Sequence, residues 1–425
     1  MVFDLGIVTN PNSFTVFGSA EPRIMTTGDS PEVIDPDLRV EEITEGLELP
    51  TSMAFLGPDD ILVLEKDKGT VRRIIDGQLL PEAVLDVNVA NQNERGMLGI
   101  AVKNSGEDIR IGKGTDTKIA VYLTFTESEE EGNDVCSSSN TCEEGNEPLG
   151  NRLYRYEFEN DKLVNPQLLL DLPATPGPAH NGGVVVVGLD DNLYVNIGDV
   201  RGSAQNPAES QREYDGRSGI LRVTQDGQPV GEGILGDEHP LNFYYAYGMR
   251  NSYGMDFDPL TGNLWNTENG PGDGDEVNLV LPGFNSGWKA IQGFIENGEE
   301  GIVLEDFGGN GEYMDPQFVW GEPVGPTALK FLNSDKLGMQ YQNDMFVGDV
   351  HRGNIYHFEL DENRTGLVLG GNLEDKTADG DSEAEEIVFG RNFGGITDIE
   401  VGPDGYLYIV SIGQGKIFRI IPGSL

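Results

Sequence analysis

The chain has 425 residues, 37% of them hydrophobic, and its 73 acidic against 28 basic side chains give a formal net charge of −45. A surface of that sign repels phosphate backbones and anionic lipids, which excludes nucleic acid as a partner; it fits a solvated acidic coat, cation binding or a saline environment. No run of 18 apolar residues occurs, so no transmembrane helix is expected.

From the N-terminus, MVFDLGIVTNPNSF lacks a basic stretch followed by an apolar one, so no signal peptide is expected in this chain. Residues 1–38 match nothing further along and are expected to pack as an extension on a single domain formed by 39–425. Beyond them the chain is rich in Gly (58) and Pro (23), without long helical periodicity. Short apolar runs bounded by turn residues recur, which is an all-β pattern.

The runs group into six copies of one unit. The first, TSMAFLGPDDILVLEKDKGTVRRII, starts at Thr51. The second covers Gly96 to Glu159. The third starts at Asn181 with NGGVVVVGLDDNLYVNIGDV, the fourth at Asn251 with NSYGMDFDPLTGNLWNTENG, the fifth at Pro326, and the sixth at Gly395 with GITDIEVGPDGYLYIVSIGQGKIFRII. Each reads as strands joined by LGPDD, DPLTG or GPDG turns, where Gly and Asp accept positive φ. Radial repetition of such sheets buries their faces and leaves short edges. The expected fold is therefore a six-bladed β-propeller with four-stranded antiparallel blades. Long loops are expected near 127–148, 200–216, 266–275 and 296–323, and function concentrates on such loops.

The second copy carries the acidic insert TESEEEGNDVCSSSNTCEEGNEP, which holds the two cysteines, Cys136 and Cys142. Their spacing can close a disulfide loop, which belongs to an oxidising compartment; two inert thiols are the alternative. Of the four histidines, His180 in PGPAHNGGVVVV precedes an innermost strand. That puts it near the channel mouth, where imidazole is a natural general base; a histidine with a structural role is the other reading. Arg250 and Asn251 open the fourth copy. The tight turn Asn269-Gly270-Pro271 is followed by Asp273, Asp275 and Glu276, and carbonyls beside carboxylates suit Ca²⁺.

Together these elements carry a family resemblance. ERGMLGIAV, AHNGGVVVVGLDDNLYVNIGD, GRSGILRV, YGMRNSYGMDFDP, NTENGPGDGDEVNLVLPGFNSGW, FVGDVHRGNIYHFEL and ITDIEVGPDGYLYIVS, in this order between about Val40 and Ile421, resemble the soluble quinoprotein glucose/sorbosone dehydrogenases, including the aldose sugar dehydrogenases. The resemblance implies a six-bladed propeller that holds pyrroloquinoline quinone (PQQ) and Ca²⁺ over the channel. It implies oxidation of an aldose at C1 to the lactone, with electrons passed to an external acceptor, in an extracellular, periplasmic or cell-surface setting. By position, His180 is the implied base and Arg250 the group polarising the quinone. Asn251 and His351 are implied cofactor contacts, and Glu94 and Arg201 sugar contacts. The Gly270 and Pro271 carbonyls are implied ligands of the cofactor's Ca²⁺, and Glu276 with the Ser286 carbonyl belongs to a second Ca²⁺.

The sequence also departs from that pattern. His351 stands where a basic residue is usual, Gly395-Ile396-Thr397-Asp398 replaces an Arg-x-Arg-Asp run, and Glu94 stands where glutamine is usual. Arg352 and Arg391 are candidate replacements for the missing cations. Two other readings follow: a non-catalytic, Ca²⁺-stabilised propeller that binds carbohydrate or protein, and a transition-metal site built from Glu94, His180 and His351.

Overall fold

The computed structural model describes residues 30–104, 119–129, 148–200, 214–295 and 302–423. Among them the only α-helix is the four-residue Asp381–Ala384. The described strands form six sheets, whose innermost strands are Pro50–Gly57, Met97–Asn104, Val185–Val187, Met255–Phe257, Pro326–Phe331 and Ile396–Val401. Each innermost strand packs on the next, and Ile396–Val401 packs on Pro50–Gly57, so the ring closes. The result is an all-β propeller.

Burial explains the radial arrangement. An alternating strand has two faces, and six apolar clusters lie between successive sheets. In one of them Trp265, Phe318 and Trp320 of the fourth sheet meet Met345, Tyr356 and Phe358 of the fifth, all fully buried or nearly so. Such side chains each contribute on the order of 2–3 kcal/mol when taken from water. The ring is latched by pairing the chain's two ends. Leu38–Glu45 lies antiparallel to Lys416–Pro422, with Leu38 opposite Pro422 and Glu45 opposite Lys416.

Every sheet contains four antiparallel strands, but four of the six carry more, which corrects the expectation of purely four-stranded units. Leu85–Asp86 joins the first sheet, Phe284–Asn285 and Glu312–Tyr313 the third, Thr377–Ala378 the fourth and Glu32–Val33 the fifth. Outer edges expose unpaired N–H and C=O groups, and these short loop-borne strands cover them. Of the N-terminal extension, residues 1–29 lie outside the described residues, as do both cysteines. No described helix is long and apolar enough to cross a membrane.

A polar network interrupts the apolar walls. The Lys330 ammonium, about one-fifth exposed, lies 2.8 Å from Glu400 and 3.5 Å from Asp256. Nearby, Asp398 accepts bonds from Ser52 Oγ (3.0 Å) and Met53 N (2.8 Å). Burial, then the Glu400 charge, pushes the Asp398 carboxyl up to about 7. That lies above its unfolded value, so its contribution to stability is full in acid and is lost as pH rises through about 7. Lys330→Met leaves these carboxylates without their cation and should cost about 3 kcal/mol. In denaturant titrations that loss should grow between pH 5 and 8; a loss independent of pH would show that Lys330 acts through packing alone.

Candidate active site

His180 sits in the turn before Val185–Val187 with φ +63°, a left-handed conformation uncommon outside glycine. Its backbone is fixed at both ends. The N–H donates to Glu94 Oε2 at 2.5 Å, and the carbonyl accepts from Val200 N at 3.1 Å. Its ring Nδ1 lies 2.6 Å from Asp199 Oδ1, and Trp288 Nε1 donates to the other Asp199 oxygen at 2.9 Å. Asp199 is only 4% exposed. With Nδ1–H donated to that carboxylate, the lone pair falls on Nε2, the tautomer a general base needs. Gly198 makes this geometry possible. A Cβ there would lie 2.4 Å from the His180 carbonyl oxygen and 2.7 Å from that of Arg250, so the strand end can pass between them only as glycine.

Arg250 and Asn251 come from the next sheet. The Arg250 carbonyl accepts from Asp199 N (2.8 Å), its N–H donates to Glu268 Oε1 (2.7 Å) and its Nη1 to the Asn269 carbonyl (2.7 Å). Its guanidinium lies over the Trp288 ring, 5.5 Å from the centroid. Burial pulls the Arg250 pKa down, opposed by the charges of Asp199, Glu94, Glu268 and Asp275. The Asn251 amide donates to Glu94 Oε2 (3.1 Å), which also accepts from the Tyr253 hydroxyl. Burial and the Glu94 charge hold that phenol well above its ordinary pKa, so it remains a donor. Within this group, Arg250 Nε and Asn251 Oδ1 are buried and have no partner among the described residues.

The Gly270-Pro271 turn adjoins this group through Asn269, whose N–H donates to the Asn251 carbonyl at 2.7 Å. Asp275 pins the turn. One oxygen accepts from Gly270 N and the other from Val324 N and Gly325 N, each at 2.8 Å. His351 reaches the same loop, its N–H donating to the Val324 carbonyl at 3.3 Å. Behind the turn, Glu276 lies across the strand pair from Glu268. Its oxygens accept from Gly293 N (2.8 Å) and Asn278 (3.1 Å), while the Ser286 hydroxyl donates to Glu268 at 2.6 Å. Burial pushes the Glu268 carboxyl up to about 7. It raises Glu276 well above its usual range, helped by the Glu268 charge.

The structure thus brings His180, Arg250, Asn251 and Glu94 together, joins the Gly270-Pro271 turn to them through Asn269, and holds the loop bonded by His351 to that turn through Asp275. Arg201 lies outside the described residues. The transition-metal triad is corrected. Glu94 Oε2 is turned to His180 N, Asn251 and Tyr253, His180 Nδ1 is taken by Asp199, and His351 sits on the Val324–Gly325 loop. Among the described residues no three His, Cys, Asp or Glu side chains converge as metal ligands. Neither candidate replacement cation is spare. Arg352 is paired with Asp381 (2.6 Å), and Arg391 lies on an outer strand with Glu385 (2.6 Å). Sequence reasoning missed Asp199, Trp288 and Glu268. The signals were NIGD at a strand end, GW after a turn, and TENG.

A family model described as glucose/sorbosone dehydrogenase matches residues 47–419. An uncharacterised protein of Synechocystis is 26% identical over 91% of this chain and 87% of its own length. The aldose sugar dehydrogenase YliI of Escherichia coli is 27% identical over 57% of this chain and 60% of its own. The fold is shared with the PQQ-bound aldose sugar dehydrogenase of Streptomyces coelicolor: TM-score 0.63 at 21% identity, covering 92% of this chain and 98% of that one. The chain belongs to the glucose/sorbosone dehydrogenase family.

Proposed function

We propose that this chain is a PQQ- and Ca²⁺-dependent sugar dehydrogenase that oxidises an aldose at C1 to the lactone and passes the electrons to an external acceptor. We read the six sheets as six blades of one propeller domain, 39–425, working in an extracellular, periplasmic or cell-surface space. The observation that carries the activity is the His180–Asp199 pair set beside Arg250 and Asn251, whose buried Nε and Oδ1 lack partners among the described residues. Both atoms lie beside the His180–Asp199 pair, where a polar ligand would satisfy them.

The residues fit the quinone end of such a cofactor. Arg250 and Asn251 would hold it, with the Gly270 and Pro271 carbonyls on its Ca²⁺ and His351 toward a carboxylate. Glu276 and the Ser286 carbonyl would serve a second Ca²⁺, and Glu94 and Arg201 would meet sugar hydroxyls. When bound, PQQ supplies the two-electron acceptor. The chain's own part is the proton. His180 Nε2 takes it from the C1 hydroxyl while Asp199 stabilises the imidazolium that forms. Arg250 places positive charge where negative charge develops.

The test is dye reduction by protein loaded with PQQ and Ca²⁺ across an aldose panel, with the product identified. Sugar-dependent reduction yielding lactone is expected; no reduction with any aldose would overturn the activity.

A further inference from the structure

We infer that Trp288 is a positioning residue that couples the base to the arginine, an inference that rests on the dehydrogenase reading of the same site. Trp288 follows the short strand Phe284–Asn285 of the third sheet and is anchored by its own backbone, its N–H donating to the Gly248 carbonyl at 2.9 Å. From there its side chain makes two different contacts. The indole N–H donates to Asp199 Oδ2 at 2.9 Å, and Asp199 Oδ1 lies 2.6 Å from His180 Nδ1. The ring face lies under the Arg250 guanidinium at 5.5 Å.

A carboxylate can turn about its last torsion, which is broad for Asp, and a directional bond to an oxygen limits that turn. The indole N–H fixes the second oxygen and so sets the plane in which the first meets the imidazole. A first-contact base moved by a fraction of an ångström loses rate without losing substrate affinity. The same ring limits where Arg250 can sit through its cation–π contact. Trp288 thus sets the base and the polarising cation relative to each other. The other two tryptophans, Trp265 and Trp320, have buried indole nitrogens without partners among the described residues. Only Trp288 puts its N–H on a site carboxylate.

The two contacts can be separated. Trp288→Phe keeps an aromatic face for Arg250 and removes the N–H. It should lower kcat about ten-fold with KM little changed, the size of one hydrogen bond to a charged group. Trp288→Ala removes both contacts and should lower kcat further. The readout independent of turnover is proton NMR of the protein without cofactor. The low-field signal of the His180 Nδ1 proton should be present in the wild type and shifted or lost by exchange in Trp288→Phe. In Asp199→Asn the Trp288 indole N–H signal should move while those of Trp265 and Trp320 stay, which tests the contact even if Trp288→Phe folds poorly. An unmoved His180 signal in folded Trp288→Phe, or an unmoved Trp288 signal in Asp199→Asn, overturns the inference. If the wild type turns over no sugar, the dehydrogenase reading fails while the NMR result still decides the positioning.

Discussion

Replacing His180 with alanine should reduce sugar-dependent turnover by about 1,000-fold or more while leaving PQQ affinity nearly unchanged. General base catalysis is worth about 10²–10⁴-fold, and the base acts on the sugar hydroxyl, mainly in the transition state. The geometry supports so large an effect. Asp199 already sets the Nδ1–H tautomer, and Glu94 and Val200 hold the backbone of His180 in its left-handed conformation. Beside it, Asp199 is held by His180 and Trp288, and Glu94 accepts from three donors on one oxygen. Steady-state kinetics of the loaded variant, with calorimetric PQQ titration alongside, separates the two quantities. Retained turnover would remove His180 as the base.

Arg250→Ala should weaken PQQ binding about 100-fold, as expected when one partner of a buried, hydrogen-bonded charge interaction is truncated. The effect is large because Arg250 is the site cation that faces Asp199, Glu94, Glu268 and Asp275 together. Without it, an incoming anion faces those carboxylates with one positive charge fewer. Arg250→Lys should fall between, keeping the charge and losing the planar fork of donors. Calorimetry with millimolar Ca²⁺ reads the affinity, and a thermal melt of each variant guards against misfolding. Unchanged affinity in Arg250→Ala would place the anion elsewhere.

The repeat pattern was legible because each repeat begins with the same local chemistry, a small-residue entry and an Asp/Gly turn. The sheets begin within a few residues of the repeats read from sequence, at Pro50, Met97, Val185, Met255, Pro326 and Ile396. The additional edge strands were not legible. Thr377–Ala378 and Glu312–Tyr313 are two residues long and pair across distant sequence, so no periodicity announces them. The site divides in the same way. His180, Arg250, Asn251 and Gly270 lie in motifs whose order identifies them. Asp199 and Trp288 are 89 positions apart and acquire meaning only when Phe284–Asn285, pairing onto the third sheet, brings the indole to the carboxylate. The converse error concerns Arg391. Its charge suggested a cofactor contact, but strand register sets it opposite Glu32 on an outer edge, paired with Glu385. At the sixth inner strand, where arginines were missing, Asp398 turns to Ser52 and Met53 and supplies no cation.

The measurement that bears most directly on the central claim is calorimetric titration of the purified chain with PQQ in millimolar Ca²⁺, repeated after exhaustive chelation. Saturable 1:1 binding that depends on Ca²⁺ and is weakened in Arg250→Ala is the expected result, with Arg250, Asn251 and the Gly270-Pro271 turn forming the site. Absence of binding at micromolar protein would contradict the claim and mean that this member has kept the propeller and the His180–Asp199 pair without the quinone.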